Sequence, residues 1–141
     1  MALKWEQVIN AQPGIELNVM VAEHLLKWHR IPVPTHDYDG PVGHGEVLIP
    51  PTMSEADAYA MMPPRGNIFL SYFIQQNWSR DISAAWFYVE GKIRELGLQT
   101  RYYQKIKEVV GRTGELVYPF DYIHATPEQR CKAALLSVLD L

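Results

Sequence analysis

Apolar positions recur at helical spacing along three stretches of the chain. In residues 15–28, Leu17, Met20, Val21, His24, Leu25 and Trp28 fall three and four apart, which lines them along one side of a helix. Glu16 in its first turn and Lys27 in its last suit the helix dipole. In residues 77–97, Ile82, Ala85, Trp86, Val89, Ile93 and Leu96 form a stripe over four turns. Ser79 is the expected N-cap, Asp81 adds negative charge at the helix start, and Gly97 is the expected stop. In the third stretch Thr126 caps, Pro127 occupies the first turn, and Gln129 completes a Thr-x-x-Gln box. Cys131, Ala134, Leu135, Val138 and Leu139 make that helix's buried face.

The remaining pattern is less regular. Residues 3–11 suggest a short helix with Leu3, Val8 and Ile9 on one face, ended by Gln12-Pro13-Gly14. Prolines crowd residues 30–67, where IPVPTHDYDGPVGHG reads as an extended, turn-rich connection and EVLIPP as a short strand. TMSEADAYAMM reads as a brief helix capped by Thr52 with Glu55 or by Ser54 with Asp57. NIFLSYFI, 67–74, is a β-rich run without clear alternation that a buried strand would fit, although short apolar runs suit more than one element. Two readings stand for the region after Gly97. LQTRYYQKIKEVV and ELVYPFDYIHA could be strands joined through GRTG, with Pro119 at an edge or bulge; alternatively 101–110 is a helix on Ile106, Val109 and Val110. The order of elements suits an α/β (α+β) domain, a sheet with helices packed on it.

Length and charge narrow the function. The 141 residues suit one domain. Thirteen basic against sixteen acidic residues give a net charge of −3, without the basic footprint of non-specific nucleic-acid binding. No apolar run approaches the ~20 residues that span a bilayer, and the N-terminus has no apolar signal-peptide core. With a single cysteine, Cys131, no intrachain disulfide can form, and a reducing cytoplasmic setting is expected.

Candidate chemistry is sparse. HDYDGPVGH, 36–44, sets two histidines and two aspartates in one loop, but the spacing matches no established metal motif, so no metal is expected. Cys131 on an apolar helix face reads as a small buried hydrophobe. There is no Gly-x-Ser-x-Gly elbow, phosphate-binding Gly-Lys loop or His-Glu-x-x-His, and no catalytic residue or cofactor is assigned. Aromatics make up 11% of the chain. Trp28 and Trp86 sit on apolar stripes and are expected in the core. Trp78, Tyr72, Tyr102 and Tyr103 are less committed and suit stacking on a planar ring. Arg80 and Arg101 could pair with a phosphate, and the amides at the helix start near Ser79 and Asp81 could receive an anion.

Three segments resemble one family. LNVMVAEHLLKW is similar to its Leu-x-x-x-Val-Ala-Glu-x-x-x-x-Trp helix. WSRDISAAWFYVE resembles its aromatic-Ser-x-Asp-Ile-x-Ala-Ala-Trp-x-Val-x-Glu helix start. ATPEQRCKAALLSVL is similar to its Ala-Thr…Cys-Arg-Ala-Ala-Leu ending. Together they resemble the phage ABA sandwich domain. Leu26-Lys27 stands where that family has Met-Gly, Trp78 where it has Tyr, and Lys132 where it has Arg. The resemblance implies a three-layer α-β-α sandwich, a small sheet flanked by helices, and a phage or prophage origin; it implies no particular activity.

Lack of a catalytic constellation, with uncommitted aromatics, points to a binding protein for a nucleotide-like small molecule. Tyr72, Trp78, Ser79, Arg80, Asp81, Arg101 and Tyr103 are its candidate contacts. A homo-oligomer is expected, because a small domain offers little depth for a pocket. The competing readings are a small hydrolase using the 36–44 loop and a module for protein interaction.

Overall fold

The computed structural model describes residues 2–33, 45–62, 68–112 and 118–141. Helix α1 (Trp5–Asn10) leads through a turn at Gly14 into α2 (Ile15–Met20), which runs on without a break as a π-helical segment, π1 (Val21–Leu25). Strands β1 (His29–Val33) and β2 (Gly45–Ile49) pair antiparallel with Ile31 opposite Val47. Helix α3 (Glu55–Met61) follows. The next helix is continuous but has three parts: α4 (Ile82–Ala84), π2 (Ala85–Glu90) and α5 (Gly91–Glu95). Then come α6 (Gln99–Val110), α7 (Pro119–Ile123) and α8 (Pro127–Leu139).

Helix α8 is the centre. Every residue from Arg130 to Ser137 is buried, as expected of a helix enclosed by others rather than laid on a surface. Helices α1, α2 and α6 and both π segments pack on it. The cap read from the sequence is present: the Gln129 amide donates to Thr126 Oγ1 at 3.1 Å, and the Thr126 amide to Gln129 Oε1 at 2.9 Å.

Among the described residues one strand residue enters this apolar core. Leu48 belongs to the helical core, whereas its neighbours Val47 and Ile49 point the other way, into a second cluster with Ile31, Val33 and Ala58 of α3. Alternation along a strand makes this division. Strand β2 is therefore buried on both faces.

Several expectations are corrected. Residues 68–74 form turns, not a strand; their tie to the sheet is the Leu48 amide donating to the Leu70 carbonyl at 3.0 Å. Residue 67 lies outside the described residues, as do GRTG's last two residues and the 36–44 loop. Residues 99–110 are helix, so the hairpin reading fails there. Tyr102, Ile106 and Val109, four and three apart, turn inward. Pro119 is the first residue of α7, where its missing amide costs nothing. Residues 29–33, expected only as extended, pair as β1. The helix from 15 ends at Leu25, and Lys27 lies beyond it with φ 62°.

The largest correction concerns Trp86. Its side chain is 58% exposed, with the Arg130 guanidinium 5.6 Å from its ring centre. The buried residues of this helix are Ala84, Ala85, Val89 and Ile93. A π turn holds more than four residues, so it rotates the face that a uniform 3.6-residue period lays out. Ala85, Val89 and Ile93 stay on the core side as expected, Ile82, Trp86 and Leu96 leave it, and Ala84 joins it.

This division of the helix sets the cost of truncation. Leu135→Ala and Leu136→Ala should each destabilise by about 2–5 kcal/mol, and Trp86→Ala by about 1 kcal/mol or less. Urea unfolding read by circular dichroism compares them. A Trp86→Ala loss as large as that of Leu135→Ala would place the ring in the core.

Candidate functional site

Trp78, set just before the start of α4, is the hinge of the site. It is only 2% exposed and lies in the core, contrary to its expected freedom. Trp28 meets it edge to face with ring centres 6.0 Å apart, and Tyr88 of π2 does so at 6.5 Å. Its carbonyl oxygen accepts the Cys131 thiol at 3.3 Å. Burial, then the carboxylates of Glu128 and Glu90, pushes that thiol up to about 12, so Cys131 is an unreactive core group.

One side of Trp78 opens on a cleft of about 450 Å³, within the range of small-molecule sites. Leu26 and Trp28, just past π1, form one wall, and Tyr88 of π2 another. Pro50 and Met53 beyond β2, Met61 of α3, and Phe73, Gln75, Gln76 and Trp78 complete it. Among the described residues the lining brings aromatic faces, two thioethers and two primary amides, and no Lys, Arg, Asp, Glu or His. The indole N–H of Trp78 is buried and meets no acceptor. Most buried donors in native proteins are paired, which makes this one notable.

Both π segments adjoin the cleft. π1 ends at Leu25, next to Leu26, and π2 carries Tyr88. By rotating the second helix, π2 keeps Val89 in the core while Tyr88 reaches Trp78. Such segments occur often at functional sites.

The residues after Trp78 hold the wall in place. Ser79 is buried and is not the cap. Its Oγ accepts the Gly14 amide at 2.7 Å and donates to Asn18 Oδ1 at 2.8 Å; its own amide donates to the same Asn18 oxygen at 3.0 Å. Asn18 Nδ2 donates to Asn77 Oδ1 at 2.9 Å. Gly14 has φ 104°, a conformation that side chains other than glycine's resist, and a Cβ there would stand 3.4 Å from Arg80 Nε. Arg80 donates to the Pro13 carbonyl at 3.2 Å. Asp81 is the cap: its Oδ1 accepts the amides of Ser83 at 2.9 Å and Ala84 at 3.2 Å. Both caps are chemically suitable, and the choice follows from where the chain turns.

The other expected contacts lie apart from the cleft lining. Tyr72 reaches its edge indirectly, packed edge-on against Phe73 with centres 5.0 Å apart. Arg101 pairs with Asp140 and lines a separate shallow depression with Gly97, Leu98, Thr100, Gln104 and Lys105. Tyr103 packs edge-on against Tyr122, with Lys107 Nζ 4.5 Å from its ring centre. Tyr102 donates to Glu90 Oε2 at 2.6 Å and is held protonated by burial first and by that carboxylate second. Among the described residues no three His, Cys, Asp or Glu side chains gather so as to hold a metal ion, and no helix is long and apolar enough to cross a membrane. The sequence reading assigned Trp28 to the core and passed over Tyr88, Phe73 and the two glutamines. Tyr88 carried a signal, an aromatic off the apolar stripe.

Two predictions follow from these bonds. Ser79→Ala leaves the Gly14 amide without its acceptor and should cost about 1–3 kcal/mol, whereas Asp81→Ala should cost about 0.5–2 kcal/mol as a lost cap. Equal unfolding midpoints for wild type and Ser79→Ala would remove Ser79 from the buried network. The second concerns His24 of π1. Burial first, then the cations Lys27 and Arg30, lowers its pKa below the ordinary 6.5 against the opposing pull of Glu23. The unfolded chain therefore takes up this proton first. Stability should be full above about pH 6.5, fall as pH drops through the window below it, and level once folded His24 is protonated. Midpoints for His24→Gln should lack that slope. Glu23, lowered mainly by its bond from Arg30, adds a separate loss below its ordinary 4.5.

Comparison of the chain with protein-family models, with curated proteins and with solved structures finds no match.

Proposed function

We propose that this protein is a small phage or prophage binding protein that sequesters a nucleotide-derived signalling molecule of host antiviral defence without turning it over. The observation that carries the reading is the cleft beside Trp78, walled by Trp28, Tyr88 and Phe73. Flat aromatic walls with a few polar groups suit a planar ring. Nothing among the described lining residues supplies a nucleophile beside a base, which suits retention rather than hydrolysis. The protein would act in the cytoplasm of the bacterial host. The three-layer α-β-α arrangement belongs to this proposal, supported by β2, which has α3 on one face and the helical core on the other.

A second reading has its own observation. Trp86, Phe87, Phe120 and Ile123 are all largely exposed. Arg130 links part of this set: it stands over the Trp86 ring and donates to the Ile123 carbonyl at 2.7 Å. Exposed apolar groups of this size favour a protein contact, either a homo-oligomer of the binding protein or an interaction module with no small ligand.

Calorimetry with cyclic nucleotides and cyclic ADP-ribose isomers tests the proposal. Saturable heat is expected, and the ligand should return unchanged after heat denaturation of the complex. A cleaved product would support a hydrolase using the 36–44 loop. No binding to any of them would leave the interaction module ahead.

A further inference from the structure

We infer that the exposed face formed by Trp86 and Phe87 of π2 with Phe120 and Ile123 of α7 is the contact with a second copy of this chain, the face pairing with itself across a two-fold axis. The inference rests on the protein-contact reading of these residues above and names the occupant. It is independent of what the cleft holds.

The four side chains make one surface. Phe120 and Ile123, three apart on α7, share a side of that helix. The Arg130 guanidinium ties Ile123 to Trp86, since it donates to the Ile123 carbonyl at 2.7 Å and lies 5.6 Å from the centre of the Trp86 ring. Phe87 follows Trp86 and packs edge-on against Tyr88 with ring centres 4.9 Å apart, so the surface runs on to the cleft that Tyr88 lines.

Area and charge select the occupant. The four residues are 58% to 76% exposed, which leaves about 600 Å² of largely apolar side chain in solvent. A dimer of ordinary size buries about 800 Å² on each partner, and about two-thirds of a homodimer interface is apolar. The face therefore supplies nearly the whole apolar part of such a contact. None of the four carries a charge, so two copies can meet through it without like charges opposed at its centre, and it offers no handle to a charged partner. Arg130, the cation beneath it, already has three acceptors: the Ala125 carbonyl, the Ile123 carbonyl and Glu90. Covering it strands no unpaired charge, which is the usual penalty of drying a charged surface. A self-paired contact also needs no second complementary surface, because the same patch is used twice.

The test uses the whole chain without ligand. In sedimentation from about 1 to about 200 μM, a span that covers moderate and weak dimers, the mass should rise toward twice the 16.2 kDa of one chain. Phe87→Lys and Phe120→Lys each place a charge in the dry centre and should raise the dissociation constant about thirtyfold or more, the scale of a hot-spot loss. Phe69→Lys, at an equally exposed ring in the turns beside the sheet, should leave it unchanged. With 15N at the indole nitrogens of the unaltered chain, the Trp86 N–H resonance should shift on dilution, and its exchange with solvent should be slower in the dimer. That measurement decides the matter if a lysine variant folds poorly. A dimer loosened by Phe69→Lys rather than by the other two, or one that forms with no change at the Trp86 indole, would overturn the inference. A chain that stays monomeric with a freely exchanging Trp86 indole would overturn the second copy and leave the face to a different protein. A monomer in which that indole is protected would overturn the contact reading as well, because the chain itself would then cover the face.

Discussion

A helix buried on every side must find partners for whatever charge it carries, and α8 carries two cations into the core. Arg130 spends its donors on the Ala125 carbonyl at 2.9 Å, the Ile123 carbonyl at 2.7 Å and Glu90 Oε2 at 2.8 Å. Lys132 donates to the Ile9 carbonyl and to Glu128 Oε2, both at 2.7 Å. Burying a cation without such partners costs several kcal/mol, so the positions of these acceptors are requirements of the fold. Apart from Glu128, which lies on α8 itself, they fix three other regions: α7 with the turn after it, π2, and α1. Glu90 also accepts the Tyr102 hydroxyl, which adds α6 to the same set. The surrounding elements are thereby held in register by two side chains of the central helix as well as by apolar packing.

The same constraint shapes the cleft. Glu90 ends π2 and must face Arg130, while Asp81 caps α4 at the other end. Between these fixed points the π turn accommodates Ala84, Ala85 and Val89 on the core side. Tyr88 is left facing Trp78. From the other direction, Asn18 binds both Ser79 and Asn77, which pins the residues flanking Trp78 to α2. The indole is therefore held by its neighbours' hydrogen bonds rather than by its own. This explains how a buried tryptophan can keep its N–H unpaired without losing its position.

What the sequence made legible is what depends on local chemistry. The Thr126–Gln129 box, a cap for α3 at one of the two offered positions, Ser54, a short strand within EVLIPP and the burial of Cys131 each follow from residues within a few positions. Failures came where a distant partner decides. Ser79 and Asp81 are both good caps by type, and only the pairing of Ser79 with Asn18, 61 positions away, separates them. Trp86 lay on a faultless 3.6-residue stripe, which a π turn shifts by a fraction of a turn. The run at 68–74 has strand-like composition, yet β2 already has β1 on one edge, and the run meets it through Leu70 without forming a ladder. The cleft was half legible. Trp78 was chosen for the wrong reason, as an uncommitted surface ring, while Phe73, Gln75 and Gln76 follow no period at all.

Charge bears on what the proposed cleft would hold. The net charge of −3 offers no general attraction for phosphate, and the described cations near the candidate residues are mostly committed. Arg30 binds Glu23, Lys92 binds Glu95, Lys105 binds Glu108, and Arg101 binds Asp140. A cation already paired must give up its partner before it can serve an anion, which discounts its attraction. An aromatic wall makes no such exchange, since its rings attract a flat ligand through area and dispersion alone. Among the described residues, the cleft lining accordingly offers aromatic surface rather than an uncommitted cation.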